Sequence, residues 1–154
     1  MKQPRVTRVS FNNRKKQLVV EYGSGTQVLV HYGQVGIRKN LRSASPDRES
    51  GGRAIRLEYR DQTTDYMPYD QPLAAAKDPE FMLRHDLEVL IARIRQRLAQ
   101  QRISLRHLAE RLKTSDAQVQ RLLDPSILRK NLGQLYAIGA VLNLKMEVRV
   151  KDAA

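Results

Sequence analysis

The stretch SDAQVQR, residues 115–121, places short and polar side chains close together in a segment with helical spacing. A glutamine amide donates and accepts hydrogen bonds at once, so it can pair bidentately with adenine, and an arginine can contact guanine or a phosphate. Asp116 could accept from cytosine, or could simply place favourable negative charge at a helix N-terminus. The candidates for contact with bases are Ser115, Asp116, Ala117, Gln118, Gln120 and Arg121.

Basic residues flank this stretch on both sides and could hold phosphates. Arg129 and Lys130 precede a predicted helix that begins at Asn131, where exposed backbone N–H groups favour anions. Arg102 and Arg106 lie at the start of an earlier short helix and form a second set. Lys113, in the intervening turn, would add a further charge near a phosphate backbone. Some of these cations could equally serve only to keep the surface solvated.

The charge of the whole chain agrees with an anionic partner. The formal net charge is +12 over 154 residues, and residues 81–154 contribute +7 of it from 14 basic and 7 acidic residues. Such an excess indicates nucleic acid, an acidic protein or, less often, a membrane surface. The basic surface of the second half is therefore where an anion is expected to dock.

The composition excludes several other kinds of chemistry. There is no cysteine, which rules out disulfides, thiolate zinc sites and cysteine nucleophiles, and the three histidines lack metal-ligand spacing. Asp61, Asp65 and Asp70 are close in sequence, but their setting favours solvated loop carboxylates. No glycine-rich phosphate loop or nucleophile elbow is present. We therefore expect no enzyme activity, no metal and no cofactor.

Three short helices are predicted to position the candidate residues. Ser104 is a good N-cap for a helix through Leu112, and Ser115 with Gln118 forms an S-x-x-Q capping box for the next helix. Asp124-Pro125 should end that second helix, and Asn131 should cap the last one. Their apolar faces are formed by Leu105, Leu108, Ala109 and Leu112, then Val119, Leu122 and Leu123, then Leu132, Leu135, Ile138 and Leu142.

The segment SLRHLAERLKTSDAQVQRLLD, residues 104–124, resembles the lambda-repressor/Cro-like (XRE-type) helix-turn-helix family. Ala109 stands where that family needs a small residue for a close helix crossing, and Val119 stands at one of its buried positions. The resemblance implies that the helix after Ser115 enters the major groove of DNA. Lys113 departs from the glycine usual in the turn, at a cost of about 1–2 kcal/mol if its backbone is left-handed.

The C-terminal segment is similar to the tail of HicB-type antitoxins, so that the family resemblance covers roughly residues 85–150. In LKMEVRV, apolar and charged residues alternate strictly, which predicts a β-strand. A lone strand needs a partner edge, either in a second subunit or in the N-terminal sheet. We favour pairing between subunits, through the apolar residues Leu144, Met146, Val148 and Val150.

The first half of the chain alternates with a period near two. KQLVVEY and TQVLVHY flank Gly23-Ser24-Gly25, which predicts a β-hairpin, and RVTRVSF and RAIRLEYR supply two further strands. The polar segment 38–52 is predicted as a long surface loop. Residues 1–67 therefore indicate a small antiparallel sheet with one apolar face.

The spacing of apolar residues changes after residue 67. PYDQPLAAAKDP, residues 68–79, contains three prolines and is predicted as a linker. From residue 80 to about 101 a stripe of apolar residues predicts one long helix. The expected fold class is α+β: a β domain at 1–67, the linker at 68–79, and at 80–154 a helix-turn-helix domain with a C-terminal strand.

These observations favour a sequence-specific regulator of transcription that binds double-stranded DNA as a homodimer. One alternative is an antitoxin that autoregulates its operon and covers a toxin with its β domain. Another is a non-catalytic DNA- or RNA-binding accessory subunit of a nucleoprotein complex. No apolar run approaches membrane-spanning length and the N-terminus has no apolar leader pattern, so a cytoplasmic location is expected.

Overall fold

The computed structural model describes residues 4–152, so the outermost residues of the two predicted domains, 1–3 and 153–154, lie outside it. The chain divides into two compact units, residues 1–82 and 83–154. The fold is mixed α+β, with two three-stranded antiparallel sheets and five helices among the described residues. None of the helices in that range is long and apolar enough to cross a membrane.

The first unit contains two sheets, each built as a simple meander. In both, consecutive strands pair antiparallel, in the orders β1-β2-β3 and β4-β5-β6. The strands are β1 (Val6–Asn12), β2 (Gln17–Tyr22), β3 (Gln27–His31), β4 (Leu41–Pro46), β5 (Ala54–Tyr59) and β6 (Thr64–Pro68). A short 3₁₀ turn at Tyr32–Val35 follows β3.

The core of this unit confirms the predicted alternation. The apolar residues predicted to share one face of the hairpin are buried, and so are those predicted for the later strand. They are Leu18, Val20, Tyr22, Val28, Val30, Tyr32, Ile55, Leu57 and Tyr59. The Tyr22 hydroxyl donates to the Tyr69 carbonyl at 2.6 Å, and burial raises the pKa of this phenol above its ordinary value.

The first unit differs from the prediction in several places: two sheets form where one was predicted, and β6 was not predicted. The loop predicted at 38–52 contains β4, which pairs with β5 through Leu41 opposite Tyr59. Leu41 is the only buried residue of this strand, so the strand shows no apolar alternation. The segment 68–79, predicted as a linker, contains helix α1 (Gln71–Ala75). Pro72 suits the first turn of a helix, where no backbone N–H is required, and Leu73 is buried in the core.

Helix α2 spans Pro79–Gln101, close to the predicted 80–101. In the second unit it is followed by α3 (Leu105–Leu112), α4 (Asp116–Leu122) and α5 (Leu132–Val141). Their buried residues form one cluster, which includes Ile94, Leu108, Leu123 and Ile138. Two residues of the predicted apolar stripes are nevertheless exposed, Leu83 on α2 and Leu132 at the start of α5.

The predicted C-terminal strand does not form within the single chain, and its pairing with a second subunit stays a prediction. Residues 143–152 belong to neither sheet and contain no helix or strand. Leu144 and Met146 pack against the second unit's core instead, and the backbone N–H of Leu144 donates to the Gly139 carbonyl at 2.8 Å. A β-carbon at Gly139 would lie 2.7 Å from Met146 Cγ, so glycine permits this close crossing of tail and helix.

Candidate nucleic-acid interface

The N-terminus of α4 presents the residues predicted to contact bases. Ser115 has an extended backbone, and its hydroxyl accepts from the backbone N–H of Gln118 at 3.1 Å, which confirms the predicted N-cap. Four other side chains of the set are exposed: Asp116, Ala117, Gln120 and Arg121. The cap thus fixes the first turn while it leaves short or polar groups open to solvent.

Gln118 itself has a partner that the sequence did not suggest. Its Nε2 donates to Oε1 of Gln134 at 3.0 Å instead of reaching back to Ser115, so only half of the predicted capping box forms. Gln134 is the third residue after the Asn131 cap, whose side chain accepts from the Gln134 backbone N–H at 3.1 Å. Two equivalent cap motifs, S-x-x-Q and N-x-x-Q, therefore meet through their glutamines and connect the starts of α4 and α5.

The turn between α3 and α4 contains a residue with a left-handed backbone, at the position where glycine is usual in such turns. Lys113 has φ 53° and ψ 46°, in the left-handed region, and the backbone N–H of Thr114 donates to the Ala109 carbonyl at 3.0 Å. Ala109 is buried, as expected of the small residue at the crossing of these helices. The Lys113 side chain points into solvent, so its charge remains available to an external anion.

Lys130 is engaged within the fold. Its ammonium donates to the carbonyls of Arg121 at 2.5 Å and Asp124 at 2.6 Å, at the C-terminal end of α4. Arg95 donates to the neighbouring Leu123 carbonyl at 2.9 Å. Cations are favourable at this end of a helix. Burial lowers the pKa of Lys130, partly opposed by the nearby carboxylate of Asp124.

The remaining predicted phosphate contacts lie on exposed parts of the unit. Arg129 and Asn131 are exposed beside the start of α5. Arg102 is exposed where α2 ends, with a left-handed φ of 55°. Arg106 lies on α3 and forms an ion pair with Glu110 at 3.5 Å, but both side chains are so exposed that the pair contributes little to stability.

The four residues predicted for dimerisation fall into two pairs. Leu144 and Met146 are partly buried against their own unit, whereas Val148 is 67% exposed and Val150 93% exposed. Beside the tail lies a groove of about 950 Å³ between α2 and α5, and Tyr136 contributes to its lining. The apolar part of its lining comes from Val89, Leu90, Ile94, Leu132, Tyr136, Leu144, Met146 and Val148.

Within residues 4–152, no group of three or more histidine, aspartate or glutamate side chains is placed to hold a metal ion. No protein-family model, no curated protein and no solved structure matches the chain.

Proposed function

We propose that this chain is a sequence-specific regulator of transcription that binds double-stranded DNA as a homodimer, with α4 lying in the major groove. The segment around it is proposed to be a helix-turn-helix of the XRE type. In such motifs the N-terminal residues of the second helix meet the base edges.

The observation that supports the proposal most directly is the polar N-terminus of α4, whose first turn is fixed by the Ser115 cap. Gln120 is exposed and its amide can pair bidentately with a base such as adenine. Gln118 is held by Gln134, so its amide is oriented before any partner arrives. Preorganised side chains lose less conformational freedom on binding, which suits a surface that must discriminate between bases.

Phosphate contacts are assigned to the exposed cations around this helix. Arg129, Lys113, Arg102 and Arg106 are all exposed, and the backbone N–H groups at the start of α5 follow Asn131. Lys130 is assigned a different role, because its ammonium already donates to two carbonyls at the end of α4. It stabilises the helix that reads bases and is not one of the phosphate contacts.

The homodimer is supported by apolar side chains that the C-terminal tail leaves exposed. Val148 and Val150 are exposed apolar residues on a segment that contains no helix or strand and belongs to neither sheet. A segment with this alternation of apolar and charged residues can pair as a strand with the same segment of a second copy, since each supplies the edge that the other lacks. The apolar groove beside it then receives side chains of the partner.

The decisive experiment is selection of bound sequences from a random duplex pool, followed by affinities for the selected site and for random DNA. A palindromic consensus is expected, since a two-fold dimer reads two half-sites. Gln120→Ala should weaken binding to the selected site by about 1–3 kcal/mol and leave random DNA nearly unchanged. The matched control is Gln27→Ala, an exposed glutamine on β3 of the first unit.

Gln134→Ala tests the support of Gln118 separately. It should reduce selectivity in the same direction as Gln118→Ala, although Gln134 lies on α5 and only its contact with Gln118 is broken. Equal losses on selected and random DNA for the glutamine variants, or enrichment of no consensus, would contradict base reading. The non-specific accessory role would then be favoured.

A second candidate function is the autoregulating antitoxin. It is favoured by exposed apolar side chains on the first unit, Leu29 and Tyr66, which could contact a protein partner. This candidate would be favoured if a toxin-like reading frame lay beside the gene and its product bound this chain.

A further inference from the structure

Three loops meet at one end of the first unit. They are the β1–β2 turn at 13–16, the segment 38–42, which leads into β4 and includes its first two residues, and the β5–β6 turn at 60–63. The strand register brings them together, because the first residue of β4, Leu41, is paired with the last residue of β5, Tyr59. We call these residues the basic loop end.

Two asparagines fasten the loops to one another. The Asn13 side chain donates to the Leu41 carbonyl and accepts from the Leu41 N–H, both at 2.8 Å. Asn40 accepts from Lys16 Nζ through its side chain at 2.5 Å, and from the backbone N–H of Arg60 through its carbonyl at 3.1 Å. The three loops therefore form one continuous, hydrogen-bonded surface.

This surface concentrates the positive charge of the first unit. It holds seven basic residues and one acidic residue, a net charge of +6: Arg14, Lys15, Lys16, Arg38, Lys39, Arg42, Arg60 and Asp61. Residues 1–82 as a whole hold 14 basic and 9 acidic residues, a net of +5. The rest of the unit is thus close to neutral. All seven cations are exposed, and Asp61 neutralises only Lys39, at 2.5 Å.

The chemistry of the surface distinguishes between kinds of anionic partner. Stable protein interfaces have an apolar core that is depleted of charged residues. The large apolar side chains exposed on the described part of this unit are Leu29, Tyr66 and Met82, and all lie outside the three loops. Closely spaced arginine and lysine with exposed amides and hydroxyls are what a phosphodiester backbone binds.

We propose that the basic loop end is a second nucleic-acid-binding surface, which holds the phosphodiester backbone without reading bases. It is independent of the base contacts proposed for α4, because it lies in the other unit and involves none of the same residues. Its contribution is affinity that depends on salt and not on sequence.

The test compares full-length variants that lose three exposed cations at different places in the first unit. In one, Arg14, Lys15 and Arg38 are replaced by alanine; in the matched control, Arg48, Arg53 and Lys77 are replaced. A third variant carries Arg14→Lys, Lys15→Arg and Arg38→Lys, which preserves the charge. The near-ultraviolet signal of tyrosine checks that each variant is folded. The probes are duplex and single-stranded DNA of random sequence and equal length, and poly-L-glutamate.

The loop variant should lower the slope of log affinity against log salt on duplex DNA by about 2–3, and the control by less than about 1. The charge-preserving variant should keep the wild-type slope. Equal slopes for the loop and control variants would overturn the proposal, as would equally tight binding of poly-L-glutamate that the loop substitutions weaken by the same factor. A slope change confined to the single-stranded probe would identify single strands as the source of the phosphates.

The experiments distinguish a failure of this second surface from a failure of the base reading proposed for α4. A wild-type chain without sequence preference, but with a loop-dependent salt slope, would remove base reading and keep the second surface. A loop variant that keeps both the sequence preference and the wild-type salt slope would keep base reading and remove the second surface.

Discussion

Asn13 in the first unit and Lys130 in the second both hydrogen-bond to backbone groups of another segment, but they do so with different chemistry. Asn13 satisfies both the N–H and the carbonyl of Leu41 and also accepts from the Tyr32 hydroxyl at 2.9 Å. Lys130 donates to two carbonyls at the end of α4. Each replaces backbone partners that the local strand or helix does not supply.

The difference lies in what each side chain can offer. A neutral amide both donates and accepts, so one asparagine can complete a strand-like pairing without adding charge. An ammonium only donates, which suits a helix C-terminus, where carbonyls remain unpaired and the dipole favours a cation. Fixing loops with amides leaves the neighbouring cations of the first unit exposed, whereas the second unit commits a cation to its own fold.

The largest effect is therefore expected from Asn13→Ala. It leaves three partly buried groups without partners, at a cost of about 1 kcal/mol each, so the first unit should lose about 3 kcal/mol in free energy of unfolding. Five of the chain's six tyrosines lie in this unit, so the near-ultraviolet tyrosine signal during urea titration measures it.

Asn12→Ala is the matched control for this prediction. The Asn12 side chain accepts only from the Lys15 N–H in the exposed turn, at 3.0 Å. Its loss should cost about 0.5 kcal/mol. Similar losses for the two variants would show that Asn13 acts only as an ordinary turn residue.

Lys130→Met should have the next largest effect and should act on the other unit. Methionine keeps the aliphatic stem but removes the donor to Arg121 and Asp124, so we expect the second unit to lose about 1–3 kcal/mol. Far-ultraviolet circular dichroism, dominated by its helices, gives the measurement. Arg129→Met is the adjacent control and should leave unfolding within about 0.5 kcal/mol while it weakens DNA binding. The reverse ranking of the two variants would assign Lys130 to phosphate.

The sequence predicted the fold most reliably where a pattern depends on burial. The alternation in β2, β3 and β5 and the caps at Ser104, Ser115 and Asn131 are confirmed, because local side-chain spacing determines both. Strand β4 was missed because only Leu41 is buried in it, so no apolar residues alternate along the strand. The C-terminal strand does not form within the single chain, because alternation shows that a segment can pair and does not show that a partner edge exists in the same chain. Its pairing with a second subunit stays a prediction.

The site was less accessible to sequence reasoning because its details depend on contacts between elements. Gln118 and Gln134 are 16 positions apart, and Lys130 lies nine residues beyond Arg121. Neither contact follows from the spacing within one helix. The paired S-x-x-Q and N-x-x-Q motifs were the available indication that two helix starts are equivalent, but they could not show that the starts adjoin.

Lys113→Gly is expected to stabilise the second unit. The left-handed backbone of Lys113 costs a lysine about 1–2 kcal/mol relative to glycine, partly offset by the greater freedom of glycine in the unfolded chain. A net gain of about 1 kcal/mol should appear in the far-ultraviolet unfolding transition. Lys113→Ala removes the same charge without relieving the backbone and should show no gain. A gain from alanine as well would mean that charge, and not backbone strain, sets the effect.

The smallest effect is expected from Asp124→Asn, and it should depend on pH. Hydrogen bonds from the Ser126 hydroxyl and backbone N–H lower the pKa of Asp124 below its ordinary value of 3.8, and the nearby charges of Lys130 and Arg95 act in the same direction. A carboxylate with a lowered pKa in the folded state stabilises the fold above its unfolded pKa, and this contribution is lost as the pH falls through the folded pKa. The melting temperature of the wild type should therefore exceed that of Asp124→Asn at pH values well above 3.8, and the difference should shrink on acidification. A difference that stays constant with pH would mean that the ionised carboxylate adds nothing beyond the hydrogen bonds that asparagine also accepts. The charge that opposes the C-terminus of α4 would then be fully offset by Lys130 and Arg95.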